Sequence, residues 1–125
     1  MFLTKLNEVL SSEKSFISDR LNFASLGVAL LINIIHWVSL YIKIKPSNQN
    51  ILIHYNIIYG PDFVEKASYV YFIPGLALVI FLANSFISAV FYKKEKLPAY
   101  FLNFATIAVQ VIFLAATITI ILINE

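Results

Sequence analysis

LNFASLGVALLINIIHWVSLYI, residues 21–42, contains no charged side chain, and Arg20 and Lys43 bracket it. Twenty-two residues rising about 1.5 Å each make a helix of about 33 Å, long enough to cross a hydrocarbon layer of about 30 Å. Residues 68–92 and 99–123 are also free of Asp, Glu, Lys and Arg. The expected fold is therefore an all-α membrane protein with three transmembrane helices, at about 21–42, 68–92 and 99–123, preceded by an amphipathic helix.

Composition points the same way. Of the 125 residues, 60% are hydrophobic and 13% charged. A soluble domain carries about a quarter charged residues, so this chain has too few to face water all round. The net charge of +2 is too small to imply nucleic acid, and no basic stripe with interleaved aromatics occurs. The absence of cysteine removes disulfides, thiolate metal sites and a Cys nucleophile together. The mixed residues before the first apolar run, and the lack of a small-residue cleavage pattern after it, indicate a retained anchor rather than a signal peptide.

Residues 1–20 form the first of two expected regions. Phe2, Leu6, Val9, Leu10, Ile17 and Leu21 recur at three- and four-residue steps, with Lys5, Glu8, Glu13, Lys14, Asp19 and Arg20 between them. This is the period of an amphipathic helix, suited to the bilayer surface or to packing on the bundle. A break at Ser11-Ser12, with a second short helix beginning there, is expected. Residues 21–125 form the three-helix domain, with a loop at 46–67 between the first two spans.

Within the spans the polar residues fall on stripes. Ser25, Ala29, Asn33 and His36 share a face of the first. Ala77, Asn84 and Ser88 make a weaker stripe on the second. Asn103, Thr106, Gln110 and Thr117 repeat at helical steps on the third. Such faces should look into the bundle, where Asn33, His36, Asn84, Asn103 and Gln110 serve as hydrogen-bond partners between helices. Trp37 and Tyr41 sit where interface anchors belong. Pro74 should kink the second span near its start or join a surface helix to it, and Pro98 fits the first turn of the third.

The loop ILIHYNIIYGPDFVEK, residues 51–66, holds the chain's less ordinary polar groups. Ile51 to Tyr59 is β-branched and aromatic and should be extended. On such a segment His54 and Asn56 point to one side and Tyr55 to the other. Gly60-Pro61 marks a turn. Asp62 and Glu65 have the spacing of a capping box, so a helix should begin at about Phe63.

No G-x-S-x-G, H-E-x-x-H or P-loop occurs, no carboxylate lies inside a span, and nothing indicates catalysis, a metal ion or a cofactor. Lys5, Lys14, Arg20, Lys93, Lys94 and Lys96 share one side of the membrane, against Lys43, Lys45 and Lys66 on the other. The bias of six to three places the N-terminus in the cytoplasm, with the 46–67 loop and the C-terminus outside.

Residues 53–62, I-H-Y-N-(x3)-G-P-D, resemble the P-x-H-[FW]-N-x-x-G-x-x-D pattern of a small membrane domain of unknown function. That domain occurs in bacterial proteins similar to the sporulation-delaying-toxin immunity protein, and the chain also resembles small three-span bacterial membrane proteins of unknown function with an H-Y-N loop. His54, Tyr55, Asn56, Gly60 and Asp62 are the matching positions, Leu52 stands where the pattern has proline, and the Asn-to-Gly gap is one residue longer. The resemblance implies a bacterial inner-membrane protein whose external loop meets a partner or ligand. Together these readings lead to a non-enzymatic sensor, immunity protein or accessory subunit. The alternative is a self-assembling, holin-like pore lined or sealed by the Asn103–Thr117 face. Its partners would be the bilayer and a membrane protein or further copies of itself, not nucleic acid.

Overall fold

The computed structural model describes the backbone of residues 1–56 and 60–124 and, of these, the side chains of all but residues 9, 11–14 and 53–64. The chain order is α1 (Phe2–Ser18), α2 (Arg20–Lys43), β1 (Asn50–Asn56), β2 (Gly60–Lys66), a 3-10 turn (Ala67–Tyr71), α3 (Phe72–Tyr92) and α4 (Lys96–Ile123). Three helical segments, Arg20–Lys43, Ala67–Tyr92 and Lys96–Ile123, are long and apolar enough to cross a membrane. The expected three-span membrane fold is present.

Its surface and interior are inverted relative to a water-soluble bundle. Phe23, Ile34 and Val38 on α2, Val79 and Phe86 on α3, and Phe101, Ile112 and Leu122 on α4 are all exposed. Asn22, Asn33, His36, Ser88, Asn103, Thr106, Gln110 and Thr117 are buried instead. Ala29, Ala77 and Ala99 are fully enclosed, as expected where small side chains let helices approach closely. An apolar cluster of Leu40, Ile44, Val70, Ile120 and Ile121 closes the bundle at the end that carries the hairpin.

Three local expectations are corrected. Ser11 and Ser12 do not interrupt α1, which runs unbroken to Ser18; a serine within a helix costs only a few tenths of a kcal/mol. Asp62 does not cap a helix. It lies in β2, which pairs antiparallel with β1 from Asn50↔Lys66 to Asn56↔Gly60. Gly60 and Pro61 are paired at the start of that strand rather than turning the chain. A ladder partner close by in sequence outweighs a capping signal, since helix nucleation is unfavourable. Helical structure starts instead at Ala67. Pro74 falls in the first turn of α3, just after the 3-10 segment, so its missing N–H removes no bond a longer helix would need.

The elbow between α1 and α2 is Asp19. Its backbone is extended, with φ −67° and ψ 126°. Its Oδ1 accepts from the amides of Leu21 at 2.9 Å and Asn22 at 3.5 Å. Its Oδ2 accepts from the hydroxyls of Tyr92 at 2.9 Å and Tyr100 at 2.5 Å. One carboxylate thus caps α2 and fastens it to α3 and α4. The Tyr100 hydroxyl, above all, holds its carboxyl below the ordinary value; partial desolvation opposes this, while Tyr92 and the two amides add to it.

Replacing Asp19 by Ala should destabilise the bundle by about 2 kcal/mol, from the lost cap and the stranded hydroxyls. A lowered carboxyl pKa contributes stability above the ordinary carboxylate value and loses it as the pH falls through the lowered one. Wild type in micelles should therefore lose part of its advantage over Asp19→Asn between pH 7 and about pH 3. An equal gap between the two at both pH values would remove the carboxylate from this role.

Candidate functional site

Two arrangements emerge from the buried and half-buried polar side chains, a ladder through the bundle and a mount for the hairpin. The ladder begins beside the elbow. Asn22 donates through Nδ2 to the carbonyl of Phe16 at 3.0 Å and accepts through Oδ1 from Asn103 Nδ2 at 2.8 Å. Asn84 Nδ2 donates to the Thr106 hydroxyl at 3.1 Å, joining α3 to α4, and the Ser88 hydroxyl donates to the Ala99 carbonyl at 3.1 Å.

The central rung is Asn33 with Gln110. Asn33 Nδ2 donates to Gln110 Oε1 at 3.1 Å and to the Pro74 carbonyl at 3.2 Å. Asn33 Oδ1 accepts from Trp37 Nε1 at 3.0 Å. Gln110 Nε2 donates to the Ala77 carbonyl at 2.8 Å. Two amides thereby bind all three spanning helices at one level. One turn further along α2, His36 Nε2 shares a 2.5 Å hydrogen bond with the Thr117 hydroxyl. His36 is fully buried, and its Nδ1 has no protein partner, like Oδ1 of Asn103.

The five intramembrane residues singled out from the sequence are thus all interhelical partners: Asn33 with Gln110, His36 with Thr117, Asn84 with Thr106, and Asn103 with Asn22. Asn22, Asp19 and Asn124 are not among the expected partners, and Trp37, expected as an interface anchor, also donates to Asn33. A signal existed for Asn22, which continues the Ser25–Ala29–Asn33–His36 face one turn back. Asp19, next to an apolar run, has the position of an N-cap.

The mount lies at the other end. Asn124, just past α4, meets Leu52 of β1 in both directions: Oδ1 accepts from the Leu52 amide at 2.8 Å and Nδ2 donates to its carbonyl at 2.6 Å. Nδ2 also donates to the Ile120 carbonyl at 2.8 Å, fixing the side chain against its own helix. A second tie joins the two feet of the hairpin, Ala67 N to the Gln49 carbonyl at 2.7 Å and Ser68 N to the Ser47 carbonyl at 3.1 Å. A third is the Tyr71 hydroxyl, which donates to the Ile44 carbonyl at the end of α2 at 2.6 Å.

The hairpin carries the loop residues away from this base. Tyr55 pairs with Pro61, Asn56 with Gly60 and His54 with Phe63. The register skips Ile53 on β1 and Asp62 on β2, two compensating bulges on either side of His54. Bulges raise local twist and re-aim neighbouring side chains. Pairing therefore brings His54, Tyr55 and Asn56 alongside Gly60 and Asp62 at the outer half of the hairpin. Their side chains lie outside the described residues, as does the expected alternation of His54, Tyr55 and Asn56 across the strand. Among the described residues no three His, Asp or Glu side chains gather as metal ligands would.

Comparison with protein families, with curated proteins and with solved structures finds no match. The likeness to the immunity-type membrane domain rests on the loop pattern and on the order of first span, loop and second span over roughly residues 25–90.

Gln110→Leu should lower stability in detergent by about 1–2 kcal/mol, since it leaves the Ala77 carbonyl and Asn33 each one partner short. A double-mutant cycle with Asn33→Val, followed by unfolding in micelles, should return a coupling of about 0.6 kcal/mol. Asn124→Ala should loosen the hairpin and spare the bundle. Amide exchange at Leu52 should accelerate about tenfold or more, the weight of one to two hydrogen bonds, while exchange in α2 and α4 stays unchanged.

Proposed function

We propose that the chain is a non-enzymatic, multi-pass protein of a bacterial inner membrane that holds an external hairpin out to a partner protein or ligand. His54, Tyr55, Asn56, Gly60 and Asp62 form the presented surface, in a sensing, immunity or accessory-subunit role. The observation that supports this reading is the mount. A two-stranded hairpin alone is barely stable in water, and here its base is tied to the ends of α2 and α4 and to the lead-in of α3. A fixed base lowers the entropy lost when the outer half engages a partner. The pore alternative needs the Asn103–Thr117 face on an oligomer surface, and its weakness is that these groups are buried and hydrogen-bonded within one chain.

The orientation rests on the six-to-three lysine and arginine bias, with the N-terminus cytoplasmic. The chain has no cysteine, so Asn48→Cys supplies a single labelling position. It should react with a membrane-impermeant maleimide on intact cells. Reaction only after lysis would reverse the topology. His54→Ala combined with Asn56→Ala should weaken recovery of a co-purifying membrane component from mild detergent by about thirtyfold, the effect expected of hot-spot residues, with the bundle's unfolding transition unmoved. Equal recovery by wild type and variant would refute presentation by this loop.

A further inference from the structure

At the elbow end, opposite the hairpin, an apolar slot of about 230 Å³ opens between α1, α2 and α3. Phe16, Asn22, Leu26, Gly27, Leu30 and Phe81 line it. From Asn22 to Leu30 it follows α2 for about 12 Å into the span. Gly27 forms part of its wall, and a Cβ built there would meet no atom within 4 Å. Asn22 is the polar member of the lining, and its amide is already engaged with Phe16 and Asn103. The slot therefore offers hydrocarbon contacts and no vacant hydrogen-bonding group of Asn22.

Cations lie at the same end of the bundle. Arg20 precedes Asn22 by two residues and is exposed. Phe16, which lines the slot, packs edge-on against Tyr92 at 5.4 Å between ring centroids. Lys96 Nζ stands 5.7 Å from the centre of the Tyr92 ring, and Lys93 and Lys94 follow Tyr92 directly, all three exposed. Among the described side chains, the acidic groups at this end are Asp19, which the two tyrosine hydroxyls engage, exposed Glu95, and exposed Glu8 of α1, which Lys5 of the same helix offsets. α1 adds an exposed apolar row of Phe2, Leu3, Leu6, Leu10 and Ile17, suited to lying in the headgroup boundary.

We propose that this elbow is a binding site for one anionic phospholipid, with an acyl chain in the Leu26–Gly27–Leu30–Phe81 slot and its phosphate among Arg20, Lys93, Lys94 and Lys96. The hydrocarbon slot selects an acyl chain, and the surplus of positive charge at this end of the bundle selects an anionic headgroup over a zwitterionic one. The site would anchor α1 and give the elbow end of the bundle a preferred leaflet.

Native mass spectrometry of the full chain, released from micelles containing equal dioleoyl phosphatidylglycerol and dioleoyl phosphatidylcholine, tests this. Wild type should retain one phosphatidylglycerol in clear preference to phosphatidylcholine. A Cβ at Gly27 has open space around it, and a Leu there extends into the slot and raises helix propensity, so Gly27→Leu should fold and lose the retained lipid. Gly75→Leu, at another glycine whose Cβ position has open space around it, should retain the lipid as wild type does. Replacing Arg20, Lys93 and Lys94 together by Gln should cut the preference for phosphatidylglycerol by about fivefold per charge, on the order of a hundredfold in all. Equal retention of the two lipids by wild type, or undiminished phosphatidylglycerol on Gly27→Leu, would overturn the site. So would equal loss from the two glycine variants.

Discussion

Hydrocarbon supplies no hydrogen-bond partner, so each polar side chain within a span must find one inside the protein. This constraint organises the bundle. Asn33 and Gln110 meet at 3.1 Å, and through the Pro74 and Ala77 carbonyls they draw α3 to the same level. The lipid-facing surface is as apolar as the lipid, so apolar burial cannot decide which faces turn inward. The polar stripes and the fully enclosed Ala29, Ala77 and Ala99 do.

The two ends of the bundle are built differently. At the elbow a single carboxylate gathers α2, α3 and α4, and positive charge and exposed apolar side chains of α1 surround it. At the hairpin end an apolar cluster around Leu40, Val70 and Ile120 closes the bundle, and Asn124 and Tyr71 tie the strands to it. This polarity suits a protein with one end adapted to the membrane surface and the other carrying a hairpin tied down at its base. α4 links them, since Asn103, Gln110, Thr117 and, just beyond its end, Asn124 each contact a different partner along its length.

Much of this was legible in the residues. The uncharged runs located the spans within a few residues, and the Asn103–Thr106–Gln110–Thr117 spacing picked out the inward face of α4, because helical period and lipid exclusion act on the same residues. The loop was harder. Asp62 and Glu65 carry a valid capping signal, yet Gly60–Lys66 pairs with Asn50–Asn56, and the ladder prevails. Asn124 gave no sign of its role, since docking on Leu52 depends on where α4 ends relative to β1, 72 residues away in sequence.

By itself the sequence determined that three segments belong in hydrocarbon, where they begin and end, and which face of each is polar. Those properties follow from local composition and from a helical period short enough to be read within two turns. Tertiary structure decided who partners whom: Asn33 with Gln110, His36 with Thr117, Asp19 with two tyrosines, Asn124 with a strand. A polar stripe states that a partner is required. Its identity depends on the rotation and axial offset of neighbouring helices, which arise only when all the stripes are satisfied together.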